Sequence, residues 1–578
     1  MMRTALRSQA ALFSFAAQGA SHGSRGGKES MATRELPQAQ AAPTGLGLSG
    51  RDALIPMIGI ALVILLSALD QTIVATALPS VIAELQGFEL YAWVATSYLL
   101  TSTVMVPVMG KLGDLYGRKP FLMAAIVIFV GASAMAGAST SMLFLIISRA
   151  IQGIGAGMLQ ATAFASVGDM FPQPERRARW QGVTTGTFGL ASVFGPSLGG
   201  VMTDHLGWRS VFYVNLPIGI LAIVMIWMTL PANLSPRAAQ ARIDWGGTAT
   251  IVAAISALLL AVEWGGSAYA WASPQIIGLL AVALLAFAGF FIIERRVPEP
   301  LMPLDLFGNR IIALCSAISL LLGFALFALT FYIPLFAQGA LAMSASSAGA
   351  LLTPLVAFMA VGSLTSGQIF ARVGRFRTLM LVGAGLLLVG TFLITQVSTQ
   401  VNTLLLGAEL ALCGIGVGLQ LPMLTVIVQS SVPRSRLGVS TAMVQFLRLM
   451  GSTLSTAVVG ALVSGVFVAT LAASAPAGTD ARLLSAFHDP QALVSEQTRA
   501  ELSAVAQQLG PDGPTQLAQL IAQAQDALAV GIRTGFMVSL ASAVLILILV
   551  LMIDERAVQR QEPMSAADLP LDSGAHAL

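Results

Sequence analysis

Four charged residues lie deep inside apolar stretches of the chain: Asp70 and Arg149 in its first half, and Glu409 and Arg448 in its second. A carboxylate such as Asp70 is unfavourable in an apolar environment, and desolvation favours its neutral form. A group that is neutral in one state and charged in another can carry a proton. We therefore interpret Asp70 as a proton carrier, with a structural hydrogen-bonding carboxylate as the alternative.

Arg149 cannot lose its proton and needs acceptors nearby, such as a carboxylate, the side chain of Gln152 or backbone carbonyls. A tether between two helices is the alternative function for this residue. Glu409 and Arg448 are the comparable charges of the second half, and we expect them to line a cavity or to pair with each other. Glu409 is the second candidate for proton coupling.

Two glycine-containing segments complete the candidate sites. The first reads GKLGDLYGRK from Gly110 to Lys119, and its Gly113 and Gly117 permit a tight chain reversal beside a possible charge cluster of Asp114 and Arg118. A loop whose positive charge only orients the chain is the alternative. The second segment contains Gly195, Pro196, Gly199 and Gly200, which predict a bent, closely packed helix or a generic packing motif.

Composition predicts that these residues sit in a membrane. The chain has 578 residues, of which 56% are hydrophobic and only 10% are charged. Apolar stretches of spanning length predict about fourteen helices. We place them at 54–79, 91–110, 121–139, 142–168, 182–203, 211–230, 246–264, 275–293, 311–337, 347–368, 379–397, 403–428, 439–468 and 532–553.

The loops between these spans are charged asymmetrically. With a cytoplasmic N-terminus, the inside loops carry almost all of the basic residues, and the short outside loops carry only Arg209. This distribution follows the positive-inside rule and predicts that both termini are cytoplasmic. It also predicts one long, mostly polar external loop at 470–530, with a helix-like stretch at 496–509 and a solvated surface.

An internal repeat divides the chain into two halves. The segment from Gly110 to Arg118 recurs from Gly367 to Arg375, and Gly182 and Gly195 recur as Gly438 and Gly451. We therefore predict an N-terminal six-helix bundle at 51–231 and a C-terminal one at 301–553, separated by a linker with two inserted helices at 232–300. Disordered cytoplasmic tails are expected at 1–50 and 554–578, with Met31 as an alternative translation start.

In this alignment Asp70, Asp114 and Arg149 of the first half correspond to uncharged residues of the second, and Arg448 corresponds to Ser192. Proton handling is therefore expected in the first half, and cavity wall in the second. Aromatic residues of the second half are the expected apolar cavity surface, with core or lipid contact as the alternative. They are Phe324, Phe327 and Phe331.

Together these segments resemble the major facilitator superfamily, and specifically its fourteen-span drug:proton antiporters. The resemblance is carried by LDQTIVATALP from Leu69, the GKLGDLYGRK segment, SRAIQGIGAG from Ser148 and FGPSLGG from Phe194. It implies an all-α fold of two six-helix bundles with two inserted helices. It also implies a gate at Gly110, Asp114, Gly117 and Arg118, modulation of proton transfer by Arg149, and a central seal at the segment from Gly195 to Gly200.

The function expected from this resemblance is export of small amphipathic compounds, such as drugs or metabolites, in exchange for protons by alternating access. A carboxylate in an apolar cavity would favour an amphipathic cation. The alternative is a proton-coupled nutrient importer on the same fold. We expect a monomer in the plasma (inner) membrane, with protons, lipid and a small molecule as its partners.

Other function classes are disfavoured by the sequence. The four histidines, His22, His205, His488 and His576, stand apart and form no metal or catalytic constellation, so an enzyme is not expected. A phosphate-binding loop of the Gly-x-x-x-x-Gly-Lys-Ser/Thr type is absent from the sequence, which disfavours ATP drive. The net charge of +3 does not indicate nucleic-acid binding, and no cofactor is expected.

Overall fold

A computed structural model describes residues 53–85, 90–231, 234, 244–266, 269–474, 483, 493, 496–508 and 513–555. These residues form helices and no named strand. The helices are α1 (Leu54–Leu85), α2 (Tyr91–Tyr116), α3 (Arg118–Gly137), α4 (Met142–Met170), α5 (Pro174–Leu206), α6 (Ser210–Tyr213), α7 (Asn215–Thr229), α8 (Trp245–Trp264), α9 (Pro274–Glu294), α10 (Arg310–Leu335), α11 (Ala345–Val373), α12 (Phe376–Ile394), α13 (Thr403–Ser430), α14 (Leu437–Ser474), α15 (Glu496–Gln508) and α16 (Gly513–Leu551).

Thirteen stretches of helix in the described part of the chain are long and apolar enough to cross a membrane. One of them, Ser210–Thr229, combines α6 and α7. The predicted span at 182–203 is the exception, because it lies in α5, which has 33 residues but is rich in polar and glycine residues. Helix α5 packs against α1 and α11, and several of its glycines lie at these interfaces, Gly195 and Gly199 against α1 and Gly182 and Gly189 against α11.

The ends of several helices are capped by side chains that the sequence places just before an apolar run. Ser141, Ser273 and Ser344 each accept a hydrogen bond from a backbone N–H in the first turn of α4, α9 and α11. Asn309 and Asn402 do the same for α10 and α13. These caps satisfy donors that a helix leaves unpaired at its N-terminus.

The internal repeat appears as a symmetric pair of contacts between the halves. Helix α2 of the first half packs against α14 of the second, and α5 of the first half packs against α11 of the second. The inserted hairpin of α8 and α9 lies beside the first of these two interfaces, because α8 contacts both α2 and α14. The expected two bundles and the inserted helix pair are therefore present.

The region expected to be a solvated external loop differs from the prediction. Helix α14 continues to Ser474, and α16 begins at Gly513, nineteen residues before the predicted start at 532. Leu502 of α15 and Leu517 and Leu520 of α16 are buried in the apolar core of the second half. The helix expected at 496–509 is present, but this region is not simply solvated. The predicted N-terminal tail, the C-terminal tail after residue 555 and most of the predicted linker before α8 lie outside the described residues.

Candidate functional site

Asp70 lies at the centre of a buried hydrogen-bond network in the first half. Arg149 donates from Nη1 to one carboxylate oxygen of Asp70 at 2.6 Å. Gln152 and Asn215 donate from their side-chain amides to the other oxygen at 2.8 and 2.9 Å. Asp70 and Arg149 are 1% and 2% exposed, so both charges are withdrawn from solvent. The structure therefore brings together the two first-half residues that were expected to handle protons.

The network extends over five helices of the same half. Ser133 of α3 accepts hydrogen bonds from Gln152 at 2.6 Å and from Asn215 at 3.2 Å. The guanidinium of Arg149 lies 4.1 Å from the ring centroid of Tyr98 on α2. Sequence reasoning missed Ser133 and Asn215, although a lone asparagine at the start of the apolar helix α7 was a usable signal. A proton on Asp70 would neutralise the only carboxylate that holds this network together.

A second charge cluster closes the end of the molecule that carries the basic loops, which we call the basic face. Arg118 donates to Asp114, with which it forms an i,i+4 ion pair, and from Nε to Asp169 of α4 at 2.8 Å. Asp114 also accepts hydrogen bonds from the backbone N–H groups of Gly438 and Val439, at 2.9 and 2.8 Å. These two residues lie in the first turn of α14, where a helix favours a negative charge. Asp114 therefore joins α2 of the first half to α14 of the second.

Glycine packing strengthens this closure at both interfaces between the halves. A side chain at Gly110 would overlap Ala442 of α14, and one at Gly182 would lie 2.5 Å from the backbone oxygen of Ser363 on α11. Beside them, Gln181 of α5 donates to Gln429 of α13 at 3.3 Å, and Gln429 donates to the backbone oxygen of Phe164 at 3.2 Å. The halves thus meet closely at the basic face.

At the opposite face the first helices of the two halves are not packed together. Helices α1 and α10, which correspond in the repeat, share no more than isolated contacts among the described residues. Local hydrogen bonds at this face include those within the first half from Trp208 and Arg209 to Glu84, at 2.7 and 2.5 Å, and one within the second half from Thr399 to Asp526, at 2.9 Å. The hydrogen bonds from Arg209 and Trp208 hold the pKa of Glu84 below its ordinary value. The structure is therefore closed at the basic face, and no comparable closure joins α1 to α10 on the other side.

The segment from Gly195 to Gly200 packs α5 onto α1. Side chains at Gly195 and Gly199 would overlap Thr72 and Thr76 of α1, whereas no described atom lies within 4 Å of the position that a side chain at Gly200 would occupy. Pro196 stands inside the helix between them. Two of the three glycines therefore serve close packing, and Gly200 does not.

A cavity lies between the halves above the closed basic face. Its walls come from α1, α4 and α5 of the first half and from α10, α11, α13 and α14 of the second. The lining residues are Ile64, Ser67, Gln160, Phe164, Thr185, Phe188, Ser319, Leu326, Met359, Leu421, Leu424, Thr425, Val444, Gln445 and Arg448. Ser67 lies one helical turn before Asp70, so the polar edge of the cavity approaches the buried network.

Of the residues expected to form the cavity wall, Arg448 lines this cavity and the three phenylalanines of α10 do not. Phe324 is buried in the core of the second half, and Phe327 stacks on Phe331 with ring centroids 5.7 Å apart. None of the three lines the cavity, because α10 turns Ser319 and Leu326 toward it instead. The aromatic residues of the wall are Phe164 and Phe188, which belong to the first half.

Of the two arrangements expected for Glu409 and Arg448, pairing with each other is not found among the described residues, and Arg448 donates to Gln445. Glu409 is buried on α13, where its backbone lies against Gly390 of α12. It does not line the cavity, and the expectation of a carboxylate on the cavity wall is not met by Asp70 either.

Comparisons with known proteins agree with this architecture. The sequence matches the family model of the Major Facilitator Superfamily over residues 60–456. It is 38% identical over 409 residues to the multidrug transporter protein MdtP of Bacillus subtilis, covering 70% of this chain and 74% of that protein. It is 37% identical over 452 residues to multidrug resistance protein 3 of the same organism, covering 77% of this chain and 87% of the relative.

Solved structures of low sequence identity share the fold. The human organic anion transporter MFSD10 aligns with a TM-score of 0.53 at 16% identity, over 85% of this chain and 99% of that one. The proton:xylose symporter XylE aligns with a TM-score of 0.51 at 15% identity, over 70% of this chain and 87% of its own. These similarities concern the fold alone.

Proposed function

The chain belongs to the Major Facilitator Superfamily, a family of multi-pass membrane transporters rather than enzymes, and from this premise we propose that it exports small amphipathic compounds in exchange for protons. The relatives named as multidrug proteins support export as the direction of transport. A two-bundle fold with a cavity between its halves suits transport by alternating access.

The buried network around Asp70 is the observation that carries the proposal. Asp70 is an acid inside the first membrane helix, and its charge is balanced by Arg149 at 2.6 Å. A proton on Asp70 removes that charge and leaves Arg149 without its carboxylate partner, so the contacts among α1, α3, α4 and α7 must change. Proton uptake is thereby linked to a rearrangement of the helices that form the cavity wall.

The basic face is the cytoplasmic side in this proposal, because loops rich in arginine and lysine remain inside. The structure then corresponds to a state closed toward the cytoplasm, with Asp114 bound to the start of α14. Release of that contact would open the cavity to cytoplasmic substrate. The transporter would work in the plasma (inner) membrane with both termini cytoplasmic, as a monomer.

The test is a substrate panel in a host that lacks its own export pumps. Expression of the chain should lower the accumulation of at least one amphipathic compound, and a protonophore should abolish the effect while cellular ATP is held constant. Raised accumulation would indicate import and contradict the proposed direction. Persistence of export after the proton gradient has collapsed would contradict proton drive.

A further inference from the structure

The cavity wall carries a single charge, and it is positive. Arg448 is the only charged residue among the lining residues, and none of the lining residues is an aspartate or a glutamate. The remaining polar groups of the wall are neutral hydroxyls and amides, namely Ser67, Gln160, Thr185, Ser319, Thr425 and Gln445. The wall therefore offers one cation and several neutral hydrogen-bonding groups within an otherwise apolar surface.

The guanidinium of Arg448 is only partly satisfied by the protein. Its Nε and Nη2 atoms both donate to the same oxygen of Gln445, at 3.2 and 3.0 Å. Among the residues that the structure describes, no acceptor is found for Nη1. Gln445 is itself neutral, so within the described part of the chain the positive charge has no counter-ion. A charged residue inside the membrane region ordinarily pairs with another charge or serves a bound ligand.

The acids of the neighbouring helices do not supply the missing negative charge. Asp70 is bound to Arg149, Gln152 and Asn215 and is 1% exposed. Glu409 is absent from the wall and forms no ion pair with Arg448. The ionised Asp70–Arg149 pair is neutral as a whole, so the positive charge of Arg448 remains uncompensated, and a proton on Asp70 would only add to it.

Close helix packing fixes the position of this cation. A side chain at Gly323 of α10 would overlap the backbone oxygen of Arg448, and one at Gly451 of α14 would overlap the backbone oxygen of Leu320. Ser452 adds a hydrogen bond from α14 to the backbone oxygen of Gly323 at 3.3 Å. The backbone of Arg448 is thus held against α10, so that its side chain is presented to the cavity from a rigid base.

We propose that the cavity binds amphipathic organic anions, whose negatively charged group pairs with Arg448. A planar guanidinium suits a carboxylate or sulfonate, because it presents several N–H donors in one plane. The apolar part of the ligand lies against Phe164, Phe188 and Met359. This assignment rests on the proposed function for the direction of transport, and it replaces the amphipathic cation expected from the sequence.

The test compares three ligands that differ chiefly in charge: 2-naphthylacetate, 2-naphthylacetamide and 2-naphthylethylamine. Their binding to the purified full-length chain in nanodiscs is measured by titration calorimetry, with empty nanodiscs subtracted. The variants are Arg448→Gln, which removes the charge, and Arg448→Lys, which keeps it. Arg209→Gln is the matched control, because it removes an arginine at the membrane surface, where it pairs with Glu84.

The wild type should bind the acetate at least tenfold more tightly than the amine. Arg448→Gln should weaken acetate binding by roughly tenfold to a hundredfold, the loss expected for one charge-assisted hydrogen bond, and leave amide binding unchanged. Arg448→Lys should keep the preference for the acetate. Three results would overturn the proposal. The wild type could bind the amine as tightly as the acetate or more tightly, it could bind none of the ligands, or Arg448→Gln could weaken the binding of all three ligands equally.

Two further measurements keep this inference separate from the proposed export. If Arg448→Gln does not fold, the ligand preferences of the wild type and of Arg448→Lys decide the question by the same criteria. Transport of the three ligands is then measured in vesicles with an imposed pH gradient. Binding of the acetate without export would contradict the proposed function and support anion binding. Proton-driven export of the amine, unaffected by Arg448→Gln, would support export and overturn anion binding.

Discussion

Asp114 accepts a hydrogen bond at 2.8 Å from the backbone N–H of Val439, a residue 325 positions later in the chain. Its other carboxylate oxygen accepts from the neighbouring N–H of Gly438. A side chain from one half thereby caps the first turn of a helix in the other half. Because this contact exists only while the halves meet at the basic face, it reports directly on closure.

Removal of the charge at this contact should loosen the closed state. We expect Asp114→Asn to accelerate hydrogen exchange of the Gly438 and Val439 amides by roughly tenfold to a hundredfold, since a charge-assisted hydrogen bond stabilises by about 1.5–3 kcal/mol. Exchange mass spectrometry of the peptide around the start of α14 measures this. Asp305→Asn is the control, because Asp305 forms an exposed ion pair with Arg436 at the same face. Equal exchange in wild type and Asp114→Asn would mean that Asp114 does not hold the halves together.

The glycines of α5 should differ in their tolerance of a side chain. Gly199→Ala places a methyl group against Thr76 and 2.8 Å from the backbone oxygen of Ile73, so α5 must move away from α1. We expect a marked loss of transport and a lower melting temperature. Gly200→Ala meets no described atom within 4 Å and should retain both. Equal effects of the two substitutions on transport and melting would show that close packing on α1 is not what this segment provides.

Arg149 should be required for stability as long as Asp70 is charged. Removal of one partner of a buried ion pair leaves an uncompensated charge and typically destabilises by about 3–5 kcal/mol. Arg149→Gln should therefore lower the melting temperature more than the double variant Asp70→Asn with Arg149→Gln, in which no charge is left. Arg209→Gln controls for loss of a surface arginine. A double variant that is as unstable as the sum of its two single variants would indicate that the pair is not energetically coupled.

Much of the fold could be predicted from the sequence, because a membrane helix requires a long apolar run. Successive loops lie on opposite sides of the membrane, and the basic residues are concentrated in every second loop. Helix α5 was predicted as one of the apolar runs, at 182–203, although its many glycine and polar residues keep it out of the thirteen stretches that are apolar enough to cross a membrane. The early start of α16 was missed because its first turns are polar overall. Only the spacing of Leu517, Leu520 and Ala524 indicates the face that packs into the core.

Site residues could be predicted from the sequence where a single charge interrupts an apolar helix. They could not be predicted where a helix is apolar on every side. Asp70 and Arg149 could be identified because each is an isolated charge in an apolar run, and they form one ion pair. The sequence of α10 does not indicate which side of this helix faces the cavity, because the helix is apolar all around. Ser319 and Leu326 face the cavity, and their residue types do not distinguish them from the neighbouring phenylalanines as candidates. Asp169 was missed because it lies just after the predicted span at 142–168, where a charge does not stand out as it does inside an apolar run.

The orientation in the membrane follows from the distribution of basic residues and can be tested by reporter fusions. Fusions after Gln173 and after Arg375 should read cytoplasmic, because both positions lie at the basic face. A fusion after Thr399, in the loop between α12 and α13, should read external. A cytoplasmic reading at Thr399, or an external reading at Gln173, would contradict the proposed orientation in the membrane.

Proton coupling at Asp70 is the central claim, and substrate movement in proteoliposomes with an imposed pH gradient tests it most directly. Asp70→Asn keeps the size of the side chain and can still accept from Gln152 and Asn215, but it cannot titrate. We predict that it folds, binds substrate with little dependence on pH, and no longer accumulates substrate against a concentration gradient. Accumulation by Asp70→Asn at the wild-type level would contradict the account and make Asp70 a structural residue.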